Sequence, residues 1–133
     1  MTVMIIFMTF FARAQHMVGE KWGGGIIFFL DPGGMHGLIA AESDLPEKYI
    51  WSVAKDECRK ISSNGFKDWY LPNKEELNLL YLKREIVGGF TRDYYLSASE
   101  ENDELIWVQS FASGYQFFNL RTYKMHARAI RRF

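Results

Sequence analysis

Trp69-Tyr70-Leu71-Pro72-Asn73-Lys74-Glu75-Glu76-Leu77 sets an extended segment, a proline and a helix start within nine residues. The residue before a proline is driven out of the helical region by the pyrrolidine ring, so Tyr70 and Leu71 are expected to be extended. Asn73 has the side chain to cap a following helix, its amide oxygen accepting a backbone N–H. Glu76, three residues on, is placed to reach back to the Asn73 amide in a capping box. Such a junction organises a fold rather than a reaction.

Downstream of it, Leu77, Leu80 and Tyr81 recur at helical spacing and predict a helix from Lys74 to about Glu85, broken by Gly88-Gly89. Upstream, Ala54, Cys58 and Ile61 predict a helix from Ser52 to about Ser62, ended by Asn64-Gly65. Further upstream, Gly23-Gly24-Gly25 leads into Ile26-Ile27-Phe28-Phe29-Leu30, an apolar run expected to be a strand covered on both faces. Asp31-Pro32-Gly33-Gly34 is a turn before a second strand from His36 to Ala41, so the pair is expected to form a hairpin. The triple glycine has neither GxGxxG nor Walker spacing; its expected role is to let backbones pass closely.

After Gly89 the pattern changes to short strands: Tyr94–Ser97, Leu105–Phe111, Tyr115–Phe118 after a Ser113-Gly114 turn, and roughly Ala127–Arg132. Alternation puts Leu105, Trp107, Gln109 and Phe111 on one face and Ile106, Val108 and Ser110 on the other. Strands, two helices, then strands make an α+β domain.

The chain has 133 residues, 48% of them hydrophobic and 17% aromatic, enough for one domain to bury a core without disulfides or metals. Sixteen Lys plus Arg balance sixteen Asp plus Glu, so net charge makes no case for nucleic acid. The distribution is uneven. No Asp or Glu occurs from Leu105 to Phe133, where Arg121, Lys124, Arg128, Arg131 and Arg132 fall, while Glu100, Glu101, Asp103 and Glu104 crowd one short segment. The plain reading is that these charges pair or face water; the sharper one is a basic face for an anionic partner such as an acidic glycan.

Cys58 is the only cysteine and is expected to be a buried structural thiol. His16, His36 and His126 show no HxxxH or HExxH spacing, so zinc is not expected. No Gly-x-Ser-x-Gly elbow is present, and no catalytic residue, metal or cofactor is expected. The acidic run at 100–104 reads as a solvated loop rather than a calcium site. Trp51, Trp69 and Trp107 are expected in the core with partners for their N–H groups, and Trp22 partly exposed. Arg128 and Arg131, three apart on the last strand, are expected on opposite faces, one reaching Glu76 or another inner carboxylate and the other facing solvent.

Val3 to Phe11 is nearly all apolar, and Ala12-Arg13-Ala14 has the small-x-small pattern of a signal-peptidase site, so residues 1–14 are expected to be a signal peptide cleaved before Gln15. The stretch is too short to span a bilayer, which takes about 20 residues. No Lys or Arg precedes it; the alternative is an ordinary N-terminal strand of a cytoplasmic protein.

Gly24-Gly25-Ile26-Ile27-Phe28, His36-Gly37-Leu38-Ile39-Ala40, Trp69 to Leu77, Ser97-Ala98-Ser99-Glu100, Trp107 to Gly114 and Arg128-Ala129-Ile130-Arg131 follow, in that order, blocks that resemble the Lcl C-terminal domain family. The resemblance covers about Val18 to Phe133. It implies one bacterial domain of exported, surface or phage-related proteins with a C-type-lectin-like fold: two helices packed on short antiparallel strands, with the N- and C-terminal strands paired and the strand at Ile26 beside the one at Ala127. The family also resembles, more distantly, formylglycine-generating enzymes. Those hold copper with paired cysteines, and with one cysteine here that activity is not carried over. The family's Trp-Arg-Leu-Pro-Thr appears as Trp69-Tyr70-Leu71-Pro72-Asn73, and its Tyr-Trp-Ser-Ser as Tyr95-Leu96-Ser97-Ala98. Many relatives have a cysteine where Ala129 stands, implied to bond the one at Cys58; that link is absent here.

The expected function is therefore a non-enzymatic binding or adhesion module of the bacterial envelope or surface, with a glycan or protein ligand. Tyr115, Phe117, Arg121, Tyr123 and Lys124 are the candidate ligand-binding residues, since aromatic faces stack on sugar rings and cations pair with acidic substituents. The alternative is an assembly domain of an envelope or phage-like particle.

Overall fold

The computed structural model describes residues 2–5 and 15–133, so most of the expected signal peptide lies outside the described residues. The chain is α+β, with two antiparallel sheets. The first contains β1 (Lys21–Trp22), β2 (Gly25–Leu30), β3 (Gly37–Ala40) and β7 (Ile130–Arg132), in the order β1-β2-β3-β7. The second contains β4 (Tyr94–Glu100), β5 (Leu105–Ser110) and β6 (Gln116–Leu120) in sequence order. Between them run α1 (Trp51–Lys60), α2 (Lys74–Leu82) and the single turn α3 (Arg84–Val87).

The predicted hairpin is β2–β3, in register at Ile26 with Ala40 and Ile27 with Ile39. A Cβ on Gly25 would lie 2.0 Å from the carbonyl oxygen of Ala40, so only glycine permits this backbone approach. Both faces of β2 are covered through Phe28; a register shift between Ile27 and Phe29 then leaves Phe29 exposed. The C-terminal strand joins this sheet, but not beside the strand at Ile26. β7 pairs with β3, Leu38 opposite Arg132 and Ala40 opposite Ile130. The free edge of β2 is taken by β1, which the turn at Gly23 and Gly24 (φ 65° and 91°) folds back onto it.

Strand alternation divides the core. Ile27 and Ile39 face α1, with Trp51, Ala54, Cys58, Trp69 and Leu71, and meet Leu96, Ile106 and Val108 of the second sheet. Ile26, Phe28, Leu38 and Ala40 point the other way, onto Leu77, Leu80 and Val87 of α2 and α3 and onto Tyr95 and Phe111.

The junction from Trp69 to Leu77 joins these parts. Asn73 Oδ1 accepts the Glu76 N–H at 2.8 Å and Glu76 Oε1 accepts the Asn73 N–H at 3.0 Å, closing the predicted capping box. Tyr70 exchanges backbone hydrogen bonds with Ile130 of β7, both 2.9 Å, and the Pro72 carbonyl accepts the Ala98 N–H of β4 at 2.7 Å. One extended tripeptide thus holds the edges of both sheets. The Tyr70 hydroxyl donates to Glu76 Oε2 at 2.6 Å; burial first, and then this bond, push its phenol pKa well up.

Two helices end earlier than expected. α1 stops at Lys60 because Ile61 leaves it in an extended conformation to pack against the core, and Asn64 (φ 58°) and Gly65 sit in a separate tight turn. α2 stops at Leu82, and Lys83 (φ −107°, ψ 13°) kinks the chain into α3. The final strand is regular only from Ile130. Before it, residues 121–129 run against the loop after β3, whose Ala41, Leu45 and Tyr49 N–H groups donate to the carbonyls of Ala129, Ala127 and Met125. Arg128 therefore precedes the regular strand, and the pleat argument for Arg128 and Arg131 fails: both are buried, at 0% and 7% exposure. Asp44 receives Arg128 and Asp68 receives Arg131, while Glu76 pairs with exposed Arg132 instead.

Candidate ligand-binding groove

β6 ends at Leu120, and a tight turn, closed by the Tyr123 N–H donating to the Leu120 carbonyl at 3.1 Å, sends the chain back toward Met125. The loop after β3 brings Lys48 alongside, and the start of β4 brings Asp93 and Tyr94. These three segments enclose a groove of about 470 Å³, lined by Lys48, Asp93, Tyr94, Asn119, Tyr123 and Lys124 with Thr122 and Met125.

Two aromatic rings stand open on it, Tyr94 at 43% exposure and Tyr123 at 53%. Phe117 braces the first, its ring edge-on to Tyr94 with centroids 5.1 Å apart. Asp93 Oδ2 lies 3.0 Å from Lys48 Nζ and 3.3 Å from His126 Nε2, and Asp93 Oδ1 accepts the Tyr94 N–H at 2.7 Å. The Lys48 hydrogen bond, then that backbone N–H, hold the Asp93 carboxyl below its ordinary range, so it stays ionised at neutral pH. Lys124 is exposed and has no carboxylate partner among the described residues. Two ammonium groups against one carboxylate leave a net positive groove with two stacking faces and an amide.

Of the five residues singled out from sequence, Tyr123 and Lys124 share this groove and Phe117 supports its wall. Arg121 turns away: its Nη2 meets Glu100 Oε2 at 3.1 Å and the Asn102 carbonyl, and its guanidinium lies 4.8 Å from the Trp51 ring centre. Tyr115, 76% exposed in the β5–β6 turn, is at the far end of β6, roughly 17 Å along the strand. Lys48, Tyr94 and Asn119 escaped the sequence reading. Only Tyr94 left a signal there: alternation along its strand sets it opposite its neighbour Tyr95, which is fully buried.

Elsewhere the chemistry is quiet. Cys58 is wholly buried, and burial pushes its thiol up to about 12, which leaves it protonated at neutral pH. Among the described residues, no group of three or more His, Cys, Asp and Glu side chains is arranged to hold a metal ion. Residues 100–104, four of them acidic, are all exposed, and Asn102 Oδ1 organises the loop by accepting the Glu104 and Leu105 N–H groups at 2.9 Å. Among the described residues, no helix is long and apolar enough to cross a membrane. No protein-family profile matches the chain, and no curated protein matches it.

Proposed function

We propose that this chain is a non-enzymatic binding module that recognises an acidic sugar in the Tyr94–Tyr123–Lys124 groove. On this reading it is an exported module of the bacterial envelope or surface, with the lectin-like architecture of the Lcl C-terminal domain family that its sequence resembles. One observation carries the proposal: Tyr94 and Tyr123 stay open to solvent around a cavity of about 470 Å³ while Lys124 lies free beside them. Exposed tyrosine faces stack on the apolar face of a pyranose, and an unpaired ammonium meets a carboxylate or sulfate. The capacity to bind does not require the groove to open, since its walls are already in place.

Isothermal titration with uronic-acid and sulfated oligosaccharides, against their neutral counterparts, tests this. Acidic sugars should bind and weaken with added salt, as screening requires. Equal binding of neutral sugars, or none at all, would remove the proposal.

A docking face for another envelope or phage-particle protein is the second reading. It is favoured by a separate apolar patch, in which Trp22 packs at 4.9 Å from Phe133, itself beside exposed Phe29. An assembly that Trp22→Ala dissociates in sedimentation velocity would support it.

A further inference from the structure

An open sheet edge presents a row of unpaired N–H and C=O groups to any passing strand, and folds normally cover, shorten or charge such edges. The outer edge of β4 is covered: the Leu96 N–H donates to the His126 carbonyl at 2.9 Å and the Ala98 N–H to the Pro72 carbonyl at 2.7 Å. Tyr70 covers β7 at Ile130. The edge strand β1 has two residues, one of them Lys21. β6 has none of these guards. Its five residues, Gln116-Phe117-Phe118-Asn119-Leu120, include no charge and no proline, and its register with β5 runs unbroken from Gln116 opposite Gln109 to Leu120 opposite Leu105. It is the terminal strand of its sheet.

Alternation tells which groups of that edge are open. At one end of the β5–β6 ladder the Ser110 N–H donates to the Tyr115 carbonyl at 2.9 Å, and at the other the Arg121 N–H donates to the Glu104 carbonyl at 3.0 Å. Bonded positions alternate along an antiparallel pair, so Phe117 and Asn119 bond to β5 while Gln116, Phe118 and Leu120 turn their N–H and C=O groups outward. Leu120 is closed locally: its N–H donates to Asn119 Oδ1 at 2.8 Å, and its carbonyl accepts the Tyr123 N–H at 3.1 Å. Gly114, before the strand, is closed as well, its N–H donating to the Ser110 carbonyl at 2.8 Å and its carbonyl accepting Gln109 Nε2 at 3.0 Å. The N–H and C=O groups of Gln116 and Phe118 are left without partners among the described residues.

We propose that β6 pairs, antiparallel, with β6 of a second copy of this chain, about a two-fold axis at Phe117. In that register Gln116 faces the partner's Phe118 and Phe118 faces the partner's Gln116, so every open N–H meets an open C=O. Leu120 then lies opposite the partner's Gly114, and both are already closed, so no main-chain group is left over at either end. A surface that complements itself in this way is what a two-fold contact requires, and an unrelated strand has no such match. Side chains add to it. Phe117 meets its own copy at a position without ladder bonds, where side chains lie closest, and Phe118, 43% exposed and 4.2 Å from the Trp107 ring, becomes a diagonal neighbour of the partner's Phe118. The two three-stranded sheets merge into one. Neither Gln116 nor Phe118 lines the Tyr94–Tyr123–Lys124 groove, so the pairing stands whether or not that groove binds a sugar.

Sedimentation equilibrium of the whole chain, with amide hydrogen exchange read by NMR over the same concentrations, tests this. A monomer–dimer equilibrium is expected. As the dimer fills, exchange at the Gln116 and Phe118 amides should slow about tenfold or more, while the Phe117 amide, bonded to β5 in either state, should change little. Phe118→Pro deletes an open N–H and no bond to β5, so the chain should stay folded and become monomeric. Should that variant fail to fold, the wild-type exchange data decide alone. A wild-type chain that is monomeric at millimolar concentration, or a dimer whose Gln116 and Phe118 amides exchange as fast as in dilute protein, overturns the inference. Protection of these amides that does not vary with concentration assigns the edge to a segment of the same chain and overturns it too. A dimer that Trp22→Ala dissociates and Phe118→Pro leaves intact places the contact at the Trp22 patch and likewise overturns it.

Discussion

Asp44 and Lys48 are four residues apart on one loop, and each makes an ion pair, but the two pairs have little else in common. Arg128, opposite Asp44, is fully buried; it also donates to the carbonyls of Ala41 and Gly88 and lies 4.0 Å from the Phe90 ring centre. Lys48 and Asp93 meet at 3.0 Å with 49% and 39% of their side chains exposed. The first pair joins three segments of backbone and cannot let go without leaving a charge in the interior. The second sits on a rim where water, or a ligand, can replace either partner at little cost. Burial, not the residue types, decides which charges hold the fold and which stay exchangeable at the surface.

The largest effect should come from the sealed pair. Asp44→Ala strands the Arg128 guanidinium, and urea denaturation should show a loss of ~3–5 kcal/mol. Alkali should attack the same joint. Burial first, then the Asp44 hydrogen bond, raise the Tyr95 phenol to about 12, above its unfolded value near 10. The stability this lends is complete below about pH 10 and falls as pH rises toward 12, which thermal melts across that window should follow. A Tyr95→Phe protein should lose that part of the alkaline decline.

Between the two extremes lies the half-buried cap, where Asn73→Ala should cost ~1 kcal/mol by the same urea assay. At the rim, Lys48→Ala should change stability by less than about 1 kcal/mol. Acid separates the pairs further. Asp93, held low chiefly by Lys48, and Asp68, held low chiefly by the Arg131 hydrogen bond, lend stability that is present above about pH 4 and lost as pH falls through their depressed values. Both carboxylates are partly open to solvent, so the acid loss should be modest and should shrink in high salt. An acid loss as large as that of Asp44→Ala would break the comparison.

What was legible in the sequence follows the range of each signal. The capping box needs only Asn73 and Glu76, and the hairpin only the Asp31–Gly34 turn between two apolar runs, so both could be read locally. The partner of Arg128 lies 84 residues away and that of Arg131 lies 63 away, beyond any periodicity. The choice of β3 over β2 as the neighbour of β7 turned on a two-residue strand, β1, too short to leave a pattern. The basic C-terminal segment, from Leu105 to Phe133, is the most instructive case. Arg121, Arg128, Arg131 and Arg132 are each taken by a carboxylate, at Glu100, Asp44, Asp68 and Glu76. The excess read along the sequence is thereby reduced to Lys124. The groove that this lysine lines is completed by Lys48 and Tyr94, which come from distant segments.

The central claim is that the open groove recognises an acidic sugar, and chemical-shift mapping with a uronic-acid oligosaccharide tests it most directly. Saturable shifts should cluster on Tyr94, Asn119, Tyr123 and Lys124; Tyr123→Ala and Lys124→Ala should abolish them while melting at the wild-type temperature. Shifts scattered over the surface, or a cluster that survives both substitutions, would contradict the account.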